Sequence, residues 1–285
     1  MTALVTGARG AFARALIPKL EESLQTDVVQ AVRHLRNGSF EVECDLSDKH
    51  AVENMISRTK PKLIYHLAGS FAGDFETDIL VNAYSSKWIY DELIRLNLDC
   101  RVVVIGSAAE YGMVGELANP VSETLSLNPV SVYGLTKVMQ TQIAKYYASA
   151  HGIDVVVARV FNLAGEGLSQ RLFYGRLLSM VDLYKRKKIE KLSFGNLDAV
   201  RDYVDFDQAI EQIISIANRG LKGEVYNVGS GIPVSMKDLL HKVLAENNIP
   251  LDCVELVAQY RKQRGDVPVI YADIKKVSVL LEQTT

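Results

Sequence analysis

Short apolar runs, rich in Val and Ile, recur along the first 160 residues and constrain the fold more than any other feature. The runs are Ala3–Thr6, Val28–Val32, Leu63–Leu67, Val102–Gly106 and Val155–Val160. Each is apolar at nearly every position, which is typical of strands that are buried on both faces of a parallel sheet. We therefore expect these runs to lie side by side in one such sheet.

Amphipathic stretches of helical length separate the runs, at Ala11–Glu22, Lys49–Ser57, Ile79–Leu96 and Tyr133–His151. Alternating strands and helices predict an α/β fold with a doubly wound parallel sheet. The alternation loosens after Asn162. We predict a main domain over residues 1–162 and, over residues 163–285, mainly a smaller C-terminal lobe that binds substrate. The chain is expected to return to the main sheet within residues 202–228.

Charge, hydropathy and cysteine content exclude several classes of protein. The formal net charge is -2, which gives no general attraction to nucleic acid. No apolar run approaches the roughly 18 residues of a membrane helix. The three cysteines have no CxxC spacing and the five histidines have no metal-ligand spacing, so no metal is predicted. With the first strand beginning at the third residue, we expect no signal peptide and a cytoplasmic protein.

A glycine-rich segment, Gly7-Ala8-Arg9-Gly10-Ala11-Phe12-Ala13, connects the first strand to the first helix. Its first glycine permits a tight turn, its second permits close approach of a pyrophosphate, and its small last residue lets the helix pack on the strand. The helix N-terminus offers free N–H groups to phosphates. The segment predicts a Rossmann-type dinucleotide site that is contacted by Gly7, Arg9, Gly10, Ala11 and Phe12.

The residue after the second strand, Arg33, bears on the choice of cofactor. Sites selective for NAD usually place Asp or Glu here to hold the ribose 2′-OH, whereas an arginine attracts the 2′-phosphate of NADP. Arg33, assisted by Arg9 or Arg36, therefore favours NADP(H) over NAD(H). Further along the chain, Asp45 and Leu46 are expected to touch the adenine. The nicotinamide ribose is expected to lie against Leu67, Ala68 and Gly69.

Ser107, Tyr133 and Lys137 form the predicted catalytic group. Ser107 follows a strand, and the other two lie at i and i+4 on one helix face. A nearby ammonium lowers the pKa of a phenol, so Tyr133 can exchange a proton with a substrate oxygen that Ser107 positions. Lys137 is also expected to bind the ribose hydroxyls.

This ordered set resembles the extended short-chain dehydrogenase/reductase family, which contains nucleotide-sugar epimerases, dehydratases and reductases. The similarity extends to Asn82, Glu110-Tyr111-Gly112, Arg159–Asn162, Arg201-Asp202-Tyr203, Tyr226–Gly229 and Arg264–Val267. The 4,6-dehydratases carry an acidic pair where this chain has Ala108 and Ala109, which argues against dehydration. The stretch from Ile105 to Gly112 is most similar to that of GDP-4-keto-6-deoxy-D-mannose reductases.

The resemblance implies further site residues and a partner. It implies a cofactor contact at Asn82 and sugar contacts at Ser107, Ala108 and Glu110. It implies that the nucleotide diphosphate is bound by Asn162, Arg201 and Arg264, with Arg171 joining them. It also implies a homodimer, in which the helices near Ile79–Leu96 and Tyr133–His151 form a four-helix contact.

Three functions are compatible with these observations. The leading hypothesis is NADPH-dependent reduction of the 4-keto group of a nucleotide-linked 6-deoxysugar. The second is a nucleotide-sugar 4-epimerase with tightly bound NAD, which would show no net redox change. The third is a non-catalytic dinucleotide sensor, which would have no need of all three catalytic residues.

Overall fold

The computed structural model describes residues 2–25, 27–36, 40–257 and 267–282. The strands, in chain order, are β1 (Ala3–Thr6), β2 (Val28–Val32), β3 (Glu41–Glu43), β4 (Leu63–His66), β5 (Arg101–Ser107), β6 (Asp154–Val160), β7 (Asn162–Ala164), β8 (Leu192–Phe194), β9 (Val200–Asp205), β10 (Val225–Val228), β11 (Pro233–Ser235), β12 (Val254–Leu256) and β13 (Val269–Ile270). The α-helices are α1 (Ala11–Leu24), α2 (Lys49–Thr59), α3 (Phe75–Ile79), α4 (Ser85–Arg95), α5 (Val132–His151), α6 (Phe173–Lys185), α7 (Phe206–Arg219), α8 (Met236–Glu246) and α9 (Lys275–Glu282).

The main sheet has seven strands in the order β10-β6-β5-β4-β1-β2-β3, and all its pairings are parallel. Side chains alternate between its two faces, so Val5 packs into one core cluster and Leu4 into the other. Helices cover both faces, which explains why these strands are apolar at nearly every position. The predicted doubly wound, Rossmann-type sheet is confirmed.

The predicted single helix over Ile79–Leu96 is wrong in one respect. A π-helical segment, Leu80–Tyr84, stands between α3 and α4. The wider turn holds Asn82, whose side chain is fully buried. Such π segments occur mostly inside longer helices and frequently at functional sites. The local widening is invisible to apolar periodicity, because the residues on either side keep a helical pattern.

Elements from beyond residue 162 divide between two cores. β10 is the edge strand of the main sheet beside β6, and α7 and α9 share a core cluster with β1 through residues such as Ile213 and Val277. A separate cluster joins α6, β8 and α8. The strand β9 pairs with β7, β11 and β13 in a second small sheet. Among the described helices, none is both long and apolar enough to span a membrane.

Candidate active site

The carboxyl ends of β1, β4 and β5 meet at one edge of the main sheet, where Thr6, His66 and Ser107 lie. The loop after β1 turns at Gly7, whose φ is +65°. A Cβ at Gly7 would come within 2.9 Å of the backbone of Ala68, so only glycine fits between these two loops. The Gly10 N–H then donates to the Gly7 carbonyl at 2.9 Å, which closes the turn.

Helix α1 begins directly after this turn, with Gly10 as its N-cap and no side chain capping it. Its first-turn N–H groups and its positive dipole end are therefore suited to a pyrophosphate. The close fit of Gly7 on Ala68 and this uncapped helix match the requirements of a dinucleotide. The side chain of Phe12, however, packs edge-on against Phe206 at 5.4 Å between ring centroids. Only the backbone of Phe12 is thus suited to the expected cofactor contact.

A buried chain of hydrogen bonds fixes the strand ends beside this loop. The Ala68 N–H donates to Thr6 Oγ1 (3.2 Å), which lies 2.8 Å from His66 Nδ1, and His66 Nε2 lies 3.0 Å from Ser85 Oγ. Ser85 gives its own proton to the Val81 carbonyl, so its oxygen accepts from His66 Nε2–H. Burial lowers the pKa of His66 to about 3, and the imidazole is neutral. His66 thus positions the loop and carries no mobile proton.

Ser107 ends β5 and caps the short 3₁₀ turn Ala108–Glu110. Its Oγ accepts from the Ala109 N–H at 3.2 Å, and Glu110 Oε1 accepts from the Ser107 N–H at 2.8 Å. The other carboxylate oxygen of Glu110 accepts from Thr141 (2.8 Å) and from Arg159, whose Nη2 is 2.8 Å away. The Glu110 side chain is 0% exposed and that of Arg159 only 2%.

This enclosure corrects the expectation that Glu110 contacts the sugar. Its oxygens already accept hydrogen bonds from three protein residues, and solvent does not reach it. The Arg159 guanidinium also lies over the Tyr111 ring, 4.6 Å from its centroid, so it faces the interior and not a phosphate. Glu110 and Arg159 are a buried ion pair that holds Ser107 in place.

The N-terminus of α5 packs against the same turn and brings Tyr133 close to it. A Cβ on Gly134 would lie 2.5 Å from the Ala109 carbonyl oxygen, so glycine at this position allows the helix to approach. The Tyr133 phenol is close enough to Ser107 for that side chain to lower its pKa in part. The structure therefore brings the predicted Ser107 and Tyr133 close together.

Lys137 lies one helical turn further along, and its ammonium donates to the Ile105 carbonyl and to Gln140. Burial lowers the pKa of Lys137 to about 8. The Glu110 carboxylate has the opposite, smaller effect on this pKa. Burial likewise raises the pKa of Tyr133 above its ordinary value, and the nearby Ser107 side chain only moderates that rise. The expected lowering of the Tyr133 pKa by Lys137 is thus wrong for this structure, because desolvation outweighs other effects. Tyr133 is a protonated phenol at neutral pH.

A tightly held loop, residues 69–73, approaches Tyr133 from the β4 side. Asp78, fully buried, accepts from Ser70 Oγ (2.6 Å), the Ala72 N–H (2.8 Å) and the Gly73 N–H (3.1 Å). Asn82 accepts from the Ser70 N–H (2.7 Å) and donates to the Ser70 carbonyl (2.9 Å). These bonds fix the loop to α3 and to the π-helical segment.

The remaining hydrogen bond of the Asn82 amide goes to Thr136 Oγ1 at 2.9 Å, which ties the loop to α5. The Asn82 side chain therefore acts between two protein elements, and its effect on a cofactor passes through the loop that it holds. At the tip of that loop, the ring of Phe71 packs edge-on against Tyr133, 5.0 Å between centroids. The Phe71 carbonyl accepts from Arg171 Nη1 at 2.6 Å.

The other predicted diphosphate ligands lie at or near the second small sheet. Asn162 donates from Nδ2 to the Asp202 carbonyl at 3.1 Å, and Arg201 donates from Nη1 to the Val200 carbonyl at 2.9 Å. The Asp202 carboxylate accepts from the Ser230 N–H at 2.7 Å. Arg264, the remaining predicted ligand, lies outside the described residues.

The end of the predicted cofactor site beyond β2 carries several charged side chains. Arg33 is exposed, and its positive charge helps to lower the pKa of Asp45, after the hydrogen bonds from Ser47. Arg9, in the glycine loop, pairs with Glu41 of β3 at 3.2 Å. The Arg36 N–H also donates to Glu41, at 2.6 Å. The three arginines predicted to attract a phosphate therefore have acidic side chains close to them.

Comparison with known proteins identifies the family. The family model described as "NAD dependent epimerase/dehydratase family" matches residues 3–229. The chain belongs to this family. It is accordingly an NAD(P)-dependent oxidoreductase of the extended short-chain dehydrogenase/reductase type, as the resemblance of its motifs implied.

Two similar relatives have named activities. A GDP-6-deoxy-D-talose 4-dehydrogenase of Aggregatibacter actinomycetemcomitans is 26% identical over 283 residues, covering 97% of this chain and 90% of its own. A GDP-6-deoxy-D-mannose reductase of Pseudomonas aeruginosa is 24% identical over 209 residues, 71% of this chain and 68% of its own. The solved structure of RMD from Pseudomonas aeruginosa complexed with NADPH has the same fold, with a TM-score of 0.84, 20% identity, and coverage of 99% and 91%.

Sequence reasoning missed several residues that shape the site of this oxidoreductase. Phe71 and Asp78 gave no recognisable pattern, because their roles depend on contacts across the sheet edge. Gly134 did carry a signal. A glycine inside a helix costs up to about 1 kcal/mol relative to alanine, so one placed beside a predicted catalytic tyrosine indicates a close backbone approach.

Proposed function

We propose that this enzyme uses NADPH to reduce the 4-keto group of a nucleotide-linked 4-keto-6-deoxy sugar, with the GDP-linked form favoured. One observation carries the proposal: the start of α5, with Tyr133, packs against the turn that Ser107 caps at the end of β5, on the same sheet edge as the Gly7 loop. Lys137 lies on the same helix one turn away. This is the set needed to hold a carbonyl oxygen and protonate it.

The protonation state of Tyr133 supports reduction. Because burial raises its pKa, the phenol keeps its proton at neutral pH and is ready to donate it to an alkoxide. Ser107 would hold the same oxygen by a second hydrogen bond, which fixes its position relative to Tyr133. A bound reduced nicotinamide would supply the hydride to the carbonyl carbon. The charged Lys137 would favour the phenolate left after the proton has moved.

Dehydration is disfavoured by the residues beside Ser107. Ala108 and Ala109 have no ionisable group with which to eliminate water. The carboxylate that follows them, Glu110, is 0% exposed and is bound by Ser107, Thr141 and Arg159. A buried and fully hydrogen-bonded carboxylate is poorly placed to take a proton from a sugar carbon.

The substrate class rests on the relatives, whose names place their chemistry on GDP-linked 6-deoxyhexoses. The apolar ring of Phe71 beside Tyr133 suits a sugar that has a methyl group in place of a hydroxymethyl group. For the nucleotide diphosphate we propose Asn162, Arg171, Arg201 and Arg264 as ligands. A second copy of the chain, bound through α4 and α5, remains the predicted partner.

The test supplies purified protein with NADPH and a GDP-linked 4-keto-6-deoxyhexose. We expect NADPH oxidation that matches the amount of reduced sugar formed, measured by absorbance and by mass spectrometry of the product. GDP-mannose supplied alone should give no 4-keto product. Formation of a 4-keto sugar from GDP-mannose would contradict the reductase, and interconversion of C4 epimers without loss of NADPH would favour the epimerase. Tight NADPH binding without any turnover would favour the sensor.

A further inference from the structure

Glu41 lies where a cofactor phosphate would be expected to meet positive charge. Its side chain is only 12% exposed although β3 is the last strand of the sheet. Oε1 and Oε2 lie 3.2 and 3.4 Å from Arg9 Nη2, and Oε2 accepts from the Arg36 N–H at 2.6 Å. These bonds lower the pKa of Glu41, the Arg36 N–H most of all, so the carboxylate is charged at neutral pH.

The ligands of Glu41 are those that an anion of the cofactor would use. A guanidinium from the phosphate-binding loop and a backbone N–H after β2 together form a site for one oxyanion. Glu41 fills that site from within the protein. Its carboxylate therefore stands in for a phosphate oxygen in both charge and hydrogen bonding.

The neighbouring carboxylates are bound differently. Glu43, two residues further along β3, lies 3.7 Å from His34 and is half-exposed. Asp45 accepts from the Ser47 N–H and hydroxyl at 2.9 and 2.7 Å. Within the described part of the chain, these contacts leave Glu41 as the carboxylate that bonds both Arg9 and Arg36.

We propose that Glu41 determines cofactor selectivity by competing with the 2′-phosphate of NADP(H) for Arg9 and the Arg36 N–H. The inference rests on the proposed use of NADPH. Binding of a 2′-phosphate must break the Arg9–Glu41 pair and bring like charges together, whereas a 2′-hydroxyl leaves the pair intact. Arg33 and Arg9 create a preference for NADPH. Glu41 thus limits this preference, so that NADH can still bind.

Glu41→Gln tests this proposal, because glutamine keeps the size of the side chain and an acceptor for the Arg36 N–H but loses the charge. Dissociation constants for NADPH and NADH are measured by titration calorimetry on the full chain without sugar. We expect NADPH to bind about tenfold more tightly, the scale of one charge-assisted hydrogen bond, and NADH to change by less than about twofold. The gain for NADPH should shrink at high salt.

Glu43→Gln is the matched control, because it removes the same charge from the same strand without touching Arg9 or Arg36. It should tighten NADPH by less than about threefold, the effect of a screened charge at a distance. A thermal melt of each variant checks that the fold is retained. Should Glu41→Gln prove unstable, Glu41→Asp, which shortens the reach to Arg9, gives the same direction of change.

Three outcomes would overturn the proposal. Unchanged NADPH affinity would mean that Glu41 does not compete with the phosphate. Weaker NADPH binding would mean that Glu41 orients Arg9 toward the phosphate. Weaker NADH binding would mean that Glu41 holds the ribose hydroxyl. Because no sugar is present, these outcomes are separate from a failure of the proposed reduction, which is measured by turnover of the wild-type protein.

Discussion

The two ends of the predicted cofactor site are built in contrasting ways. At the end that holds Ser107, Tyr133 and Lys137, the lysine is buried, the serine and tyrosine are half-buried, and neighbouring elements pack against all three. At the end that holds Arg33 and Glu41, charged side chains lie at the edge of the sheet, and Arg33 is exposed. The first end depends on desolvation, whereas the second depends on the balance of opposite charges.

This difference determines how each end responds to change. A buried polar group that loses its partner suffers the full cost of desolvation, so substitutions there should alter stability or rate strongly. Charges at the surface are partly screened, so substitutions there should alter cofactor affinity by smaller factors and should depend on salt. We therefore expect substitutions at the first end to change stability and rate, and substitutions at the second end to change selectivity for the cofactor.

The largest effect is expected from Glu110→Gln, which leaves the buried Arg159 without its counter-charge. Breaking a buried ion pair by removing one partner costs about 3–5 kcal/mol of unfolding free energy. Urea denaturation measures this loss. Asp182→Asn, in the exposed pair with Arg186, is the control and should leave the unfolding free energy nearly unchanged. A Glu110→Gln protein as stable as wild type would show that the pair contributes little.

The next largest effect is expected from Tyr133→Phe. The variant keeps the ring contact with Phe71 but loses the donated proton, so turnover with a 4-keto sugar should fall about 100-fold or more, about 2.7 kcal/mol in barrier. NADPH affinity should be retained. Tyr146→Phe, on the same helix but 57% exposed, should turn over normally. Rapid reduction by a folded Tyr133→Phe protein would remove this residue from the chemistry.

A smaller effect is expected at the opposite end from Arg33→Asp. Loss of the guanidinium should weaken NADPH binding at least about tenfold and spare NADH, since a charge-assisted contact to the 2′-phosphate contributes about 1.5–3 kcal/mol. Fluorescence titration with both nucleotides, at low and high salt, measures this. Equal losses for the two nucleotides would assign Arg33 a general structural role and would leave selectivity to Arg9 and Glu41.

The same contrast explains how much the sequence revealed. The buried strands β1 and β2 were predicted with their observed bounds, because burial on both faces leaves a continuous apolar run. Ser107 and Tyr133 were predicted to meet because strand ends and helix faces have fixed geometry. The short strands β7, β8 and β11 were missed, since three residues carry no periodicity.

The pairing of charges could not be read from the sequence. Arg159 and Arg201 both lie within strands, yet the first is buried on Glu110 and the second bonds backbone carbonyls at the small sheet. Glu41 and Arg9 are far apart in sequence and meet only because β3 is hydrogen-bonded at the edge of the sheet. Such contacts are set by tertiary structure, which single-sequence patterns do not encode.

The late position of β10 has a consequence for synthesis. The N-terminal part of a chain leaves the ribosome first, so β6 emerges well before the strand that will cover it. Until residue 225 has been made, the outer side of β6 carries unpaired N–H and C=O groups, a template for pairing with other chains. At about 5–20 residues per second this interval lasts on the order of several seconds. During that interval the outer edge of β6 is open to pairing with other chains, and it is covered only when β10 joins the sheet.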